Sequence, residues 1–215
     1  MWPETLAESA QHVVVLVEVL ATLAFALSGL LEAARKRLDA VGVVVVASLT
    51  AFGGGTLRDI LLDRRPFFWV EHVNWLWALL LLCILAMTFL RARHFAITER
   101  AMQWPDAVGL GLFTAAGTQL ALLEGMPDLV SVIMGMITAV FGGVLRDIVC
   151  NEIPTAFRDH RPYALCAFAG GWVFVGMQHL ELTAQFCLLG AAASATGLRL
   201  AALWSNYRLP PWPSK

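Results

Sequence analysis

The chain has 215 residues, 59% of them hydrophobic and only 14% charged, and its mean hydropathy is +0.70. A soluble domain is roughly half apolar and about a quarter charged, so this composition excludes a disordered chain and argues against a soluble enzyme. The net charge of −1 supplies no basic face for nucleic acid.

From the N-terminus, Met1-Trp2-Pro3-Glu4 has no basic leader and carries Glu4 and Glu8, so it does not read as a cleavable signal peptide. Apolar segments then follow at about 12–31, 41–60, 73–90, 104–123, 129–147, 162–179 and 183–204. A membrane helix needs about 20 apolar residues. These runs show no period-two alternation, and in lipid every backbone polar group needs an internal partner. The spacing predicts an all-α membrane protein: seven transmembrane helices in one domain over 1–215. Short links join the fourth segment to the fifth and the sixth to the seventh, which makes them antiparallel neighbours. Pro66 and Pro154 read as helix terminators. In the seventh segment the tract from Gly190 to Gly197 allows close packing, and contact between protomers is one use for it.

Lys and Arg divide unevenly between the two sides, with three (Arg58, Arg64, Arg65) on the N-terminal side and twelve on the other. This bias predicts an outside N-terminus and a cytoplasmic C-terminus. Trp2, Trp69, Trp75, Trp77, Trp104, Trp172 and Trp204 lie near segment ends, as an interfacial belt requires.

Shifted by 88 residues, the chain overlays itself without a gap, and about a quarter of positions match over 18–70. Phe25 meets Phe113, Gly29 meets Gly117, and Thr50-Ala51 meets Thr138-Ala139. Gly54-Gly55 meets Gly142-Gly143, and Leu57-Arg58-Asp59-Ile60 meets Leu145-Arg146-Asp147-Ile148. Repeat one spans about 12–90 and repeat two about 104–179, with helix seven (about 183–204) outside both. Three helices per unit is an odd number, which predicts an inverted repeat.

The chemistry concentrates in Gly53-Gly54-Gly55-Thr56-Leu57-Arg58-Asp59 and its counterpart through Gly142, Gly143, Arg146 and Asp147. Glycine in a helix costs about 1 kcal/mol relative to alanine. The glycines therefore either open the hydrogen-bond ladder beside a water path, freeing carbonyls, or serve close helix packing, and the two uses are compatible. Arg58, Asp59, Arg146 and Asp147 read either as a charged constriction in a hydrophilic path or as interfacial anchors; their symmetric recurrence favours the constriction. Sequence neighbours do not face each other on a helix, so each arginine is expected to find the aspartate of the other repeat or a freed carbonyl. Neutralising either arginine is then expected to alter flux without unfolding the protein. Glu18 and Asp106, which also overlay, are either buried or, for Asp106, a first-turn acid at a helix dipole. Thr50 and Thr138 are secondary candidates; Ser28, Thr22, Thr114, Thr118 and Gln119 rank below them. Four scattered cysteines and five scattered histidines form no disulfide framework, zinc site or catalytic spacing.

With its doubled Gly-Gly-x-x-Arg-Asp motif and seventh helix, the chain resembles the prokaryotic branch of the trimeric intracellular cation (TRIC) channel family, a group that also carries the label of glycine transporter. The resemblance implies a bacterial inner-membrane homotrimer surrounded by lipid, with one pore in each protomer between the two triple-helix units. It implies passage of monovalent cations, chiefly potassium, with no cofactor beyond a permeant potassium or sodium ion. Gly53, Gly54, Gly55, Gly142 and Gly143 would form kinks in helices two and five, and Arg58, Asp59, Arg146 and Asp147 would lie along the pore. Phe141 stands in place of the first glycine of the second motif. Broken inverted repeats also suit a secondary transporter of glycine or another small amino acid, in which arginine would hold the carboxylate.

Overall fold

A computed structural model describes residues 4–89, 99–158 and 160–210. Trp2, Arg91, Arg93 and Lys215 lie outside the described residues. In chain order the elements are α1 (Glu4–Arg35), α2 (Ala40–Leu61), the short α3 (Phe68–Glu71), α4 (Val73–Phe89), α5 (Glu99–Leu123), α6 (Asp128–Val149), the short α7 (Thr155–Arg158), α8 (Ala164–His179) and α9 (Ala184–Trp204). There is no strand among the described residues. Each expected apolar segment coincides with one long helix, and α1 extends to Arg35, four residues past its expected end.

Five of these helices, α1, α2, α5, α6 and α9, are long and apolar enough to cross a membrane, and α4 is a shorter apolar helix. Burial runs opposite to a soluble protein. Arg58, Arg146 and Arg199 are among the largest fully buried side chains, while Leu16, Leu20, Leu81, Ile84, Phe186 and Leu189 face outward. Charged side chains inside and leucines outside are what a hydrocarbon solvent selects. The chain is an all-helical membrane protein.

At the centre, α1 packs on α5 and α2 on α6, so each helix meets its partner 88 residues away. Phe25 and Phe113 stack there with centroids 5.4 Å apart. The helix ends repeat as well. α2 stops at Asp63 (φ 52°) and α6 at Asn151 (φ 56°), left-handed residues of types that tolerate that region. The next amide folds back five residues: Arg64 N–H to Asp59 O at 2.8 Å, and Glu152 N–H to Asp147 O at 2.9 Å. Helix termination therefore precedes Pro66 and Pro154, which lie three residues further on in already non-helical chain. α1 and α5 end in the same way at Arg37 (φ 55°) and Gly125 (φ 75°).

The small residues of α9 pack within the chain. Ala191, Ala192 and Ala195 are buried. A Cβ on Gly111 of α5 would lie 2.4 Å from Ala192 O, and one on Gly170 of α8 would lie 2.7 Å from Ala195 Cβ. The buried face of the tract thus packs on α5 and α8, while Ala193 and Gly197 on its other face stay exposed.

Candidate functional site

Each repeat buries one arginine between two carboxylates. In the first, Arg58 Nη1 donates to Glu18 Oε1 at 2.5 Å and its Nε to Asp59 Oδ1 at 2.9 Å. In the second, Arg146 Nη1 donates to Asp106 Oδ1 at 2.6 Å and its Nε to Asp147 Oδ1 at 2.8 Å. Exposure is 0% for Arg58 and 2% for Arg146. Glu18 and Asp106 are buried partners of these arginines; Asp106 is not a solvated first-turn acid.

Each arginine takes both its carboxylates from its own repeat and pairs with its own neighbour, not with the aspartate of the other half. The helix-face rule fails here because both residues lie at a helix end. Each aspartate turns toward the chain that follows, accepting from Phe68 N–H (2.9 Å) or from Thr155 N–H (2.7 Å) and Thr155 Oγ1 (2.8 Å). The long arginine arm then reaches back to the aspartate's other oxygen while its far nitrogen crosses to α1 or α5.

The two clusters differ around this common plan. In the first, Phe68 covers the Arg58 guanidinium at 5.4 Å. In the second, Ser28 reaches across from α1 and accepts from Arg146 Nη1 at 2.6 Å, and Tyr163 Oη donates to Asp106 Oδ2 at 2.7 Å. Arg199 of α9 lies over the Tyr163 ring at 4.8 Å, tying the last helix to this cluster. The sequence ranked Ser28 low and passed over Tyr163, Phe68, Thr155 and Arg199. Only the burial of Arg199 in an apolar run could have flagged it.

The glycines serve close approach. α2 and α6 remain helical without interruption through Gly53–Gly55 and Gly142–Gly143, where an opened ladder was one expectation. A Cβ on Gly54 would lie 1.9 Å from Thr138 O, and one on Gly142 would lie 2.3 Å from Thr50 O. The two backbones touch at this crossing, which offsets the cost of glycine in a helix. Gly55 makes room for Phe68, and a Cβ on Gly53 would meet Leu145. Gly143 faces Tyr163, Arg146 and Asp106. Thr50 and Thr138 bond back to Val46 O (2.6 Å) and Met134 O (2.7 Å) within their own helices. Thr22 Oγ1, Thr118 Oγ1 and Gln119 Oε1 are buried with no hydrogen-bond partner among the described residues. No cluster of metal-ligating side chains occurs among the described residues.

The sequence model described as "Glycine transporter" matches this chain twice, at residues 15–91 and 103–179, the same offset of 88. The chain belongs to the glycine transporter family. Proteins similar to it include a UPF0126 membrane protein of Vibrio cholerae, 35% identical over 91% of this chain and 81% of its own. Another is the UPF0126 inner membrane protein YadS of Escherichia coli, 34% identical over 90% of this chain and 93% of its own. Among solved structures, the TRIC trimeric intracellular cation channel orthologue from Rhodobacter sphaeroides is 34% identical, with a TM-score of 0.84 over 91% of this chain and 99% of its own. A prokaryotic TRIC channel crystallised in 0.5 M KCl is 27% identical, with a TM-score of 0.84 over 93% of this chain and 100% of its own. The family label and the solved relatives thus point to two different activities for one fold.

Proposed function

We propose that this protein is a monovalent cation channel, passing potassium through each protomer of a homotrimer in the bacterial inner membrane. One observation carries the reading beyond likeness to the TRIC channels. Each repeat buries two carboxylates against one guanidinium, a formal charge of −1 in each set before the buried Arg199 beside the second is counted. Buried charge is costly in a membrane and is kept where it faces a partner or a water-filled path. Excess negative charge there attracts cations and repels anions. The orphaned Thr22, Thr118 and Gln119 oxygens supply further polar atoms along such a path.

In this reading seven helices span the membrane. α1, α2 and α4 form one unit, and α5, α6 and α8 form the other, inverted about an axis in the membrane plane. The N-terminus is outside and the C-terminus cytoplasmic. The Gly54–Gly142 crossing is the narrowest point, and conduction requires α2 and α6 to part there, bending at their glycines. Arg58, Asp59, Arg146 and Asp147 flank the path on either side of that crossing.

The family label favours a second reading, uptake of glycine or another small amino acid, with an arginine as carboxylate ligand. Each arginine already pairs with two carboxylates, which disfavours it. Potassium flux into liposomes bearing the purified protein, with and without glycine, separates the two. Gradient-driven potassium flux indifferent to glycine is expected. Saturable glycine uptake with no independent potassium leak would replace the channel by a transporter.

A further inference from the structure

Two ion pairs cross between the halves at positions related by the 88-residue shift. Lys36, just past α1, pairs with Glu152, just past α6. Arg64, just past α2, pairs with Glu124, just past α5, at 3.1 Å. Lys36 and Glu124 are equivalent positions, as are Arg64 and Glu152, so the same bond recurs with its charges exchanged. The backbone makes the equivalence strict, because all four residues belong to the matching left-handed helix endings. Since α1 and α2 run antiparallel, the two pairs lie at opposite ends of the bundle, separated by the length of the 22-residue α2, roughly 33 Å at 1.5 Å per residue.

The surroundings of the two pairs differ. Glu152 also meets Arg158 at 3.2 Å and Arg35 at 4.0 Å, and Arg35 is held in turn by Glu32. These side chains rim a small polar pocket with Asp147, Thr155 and Met102. At the other end the positions equivalent to Glu32 and Arg35 are Leu120 and Leu123, so the Arg64–Glu124 pair stands without such a network. It is also the more exposed pair, its side chains 38% and 41% accessible against 27% and 29%. One mouth is therefore cross-braced and opens toward the buried Asp147; the other has a single brace, with leucines where the first has Glu32 and Arg35.

We propose that Lys36–Glu152 and Arg64–Glu124 are matched latches, one at each mouth of the path, and that each must release for ions to pass. Each fastens the C-terminal end of one crossing helix, α6 or α2, to a helix of the opposite half. Between the latches α2 and α6 touch at Gly54 and Gly142, so freeing their outer ends lets the two helices part at the crossing. The latches rest on the channel reading for their purpose, while their existence as inter-half braces does not.

The test uses the full chain in liposomes, with potassium flux and backbone hydrogen exchange read on the same variants. Glu152→Gln and Glu124→Gln each raise flux severalfold, and the double variant raises it by the product of the two. Exchanging the outer pair, Arg64→Glu with Glu124→Arg, restores the native rate, which a merely structural disturbance does not. Exchange quickens around 36–39 and 150–153 in Glu152→Gln, and around 62–66 and 124–127 in Glu124→Gln. Native flux and native exchange in both single variants overturn the latches and leave the channel standing. Native and variant proteins that all pass no potassium, with variants that exchange faster, overturn the channel and leave the braces. A charge exchange that fails to restore the rate overturns the outer latch.

Discussion

Phe25 stacks on Phe113, its own counterpart 88 residues later, at 5.4 Å between ring centroids and 20° between planes. The two equivalent residues meet where α1 packs on α5, so this pair lies at the contact between the halves. Truncating either ring to alanine is expected to cost about 3–5 kcal/mol. The double truncation should cost clearly less than the sum, because both remove one shared contact. Denaturant unfolding of the four proteins in detergent checks this, and simple additivity would mean that the rings act separately.

Gly54→Ala and Gly142→Ala are expected to destabilise, by about 1–3 kcal/mol for overpacking, because each new methyl would press on a backbone carbonyl that cannot swing aside. Gly176 and Gly197 have open space where a Cβ would stand. Alanine there should be neutral or stabilising by up to about 1 kcal/mol through helix propensity. Thermal unfolding of all four variants decides it; equal effects would refute the close crossing.

Arg146→Ala leaves Asp106 and Asp147 buried without their counter-charge, which typically costs about 3–5 kcal/mol. This replaces the sequence-based expectation that neutralising an arginine spares stability. Tyr163→Phe removes one hydrogen bond to a carboxylate, worth about 1.5–3 kcal/mol. Unfolding midpoints compared with Arg146→Lys, which keeps the charge, will show whether lost pairing is the cause. A stable Arg146→Ala protein would mean that water reaches the cluster.

The helices were legible because hydrocarbon demands long apolar runs, and the duplication was legible because the arginine, aspartate and glycine positions have not drifted. The pairing of Arg58 with Asp59 was not legible. A helix-face rule assumes both residues lie in mid-helix, whereas Asp59 sits in the last turn of α2 with its side chain turned toward Phe68 in the chain that follows. Lys36 and Glu152 are 116 residues apart, and nothing local joins them. A signal was nevertheless present: overlaying Lys36 on Glu124 and Arg64 on Glu152 exposes two reversed charges where the rest of the motif is kept.

Lys36, and after it Arg158 and Arg35, hold the Glu152 carboxyl below its ordinary value of 4.5. A carboxyl with a lowered pKa in the folded state contributes its tie in full above the ordinary value and loses it as pH falls through the lowered one. Protection against hydrogen exchange around 150–153, taken relative to the intrinsic rate at each pH, should therefore fall only below about pH 4.5, and in Glu152→Gln it should be low and unchanged across that range. A loss of native protection already at pH 6 would contradict the assignment.

Ser28 has no return partner. Its hydroxyl sits in the second cluster, between Arg146 and Asp106, while the residue 88 places later is Ala116, which has no hydroxyl to offer the first. The halves are thus no longer interchangeable parts. Two copies of the second half, assembled in place of the native pair, would leave Arg146 without this acceptor. Two copies of the first would set Ser28 against Arg58, already enclosed by Glu18, Asp59 and Phe68. Whatever symmetric ancestor the duplication began from, a one-sided dependence has accumulated since, and it runs from the second half onto the first.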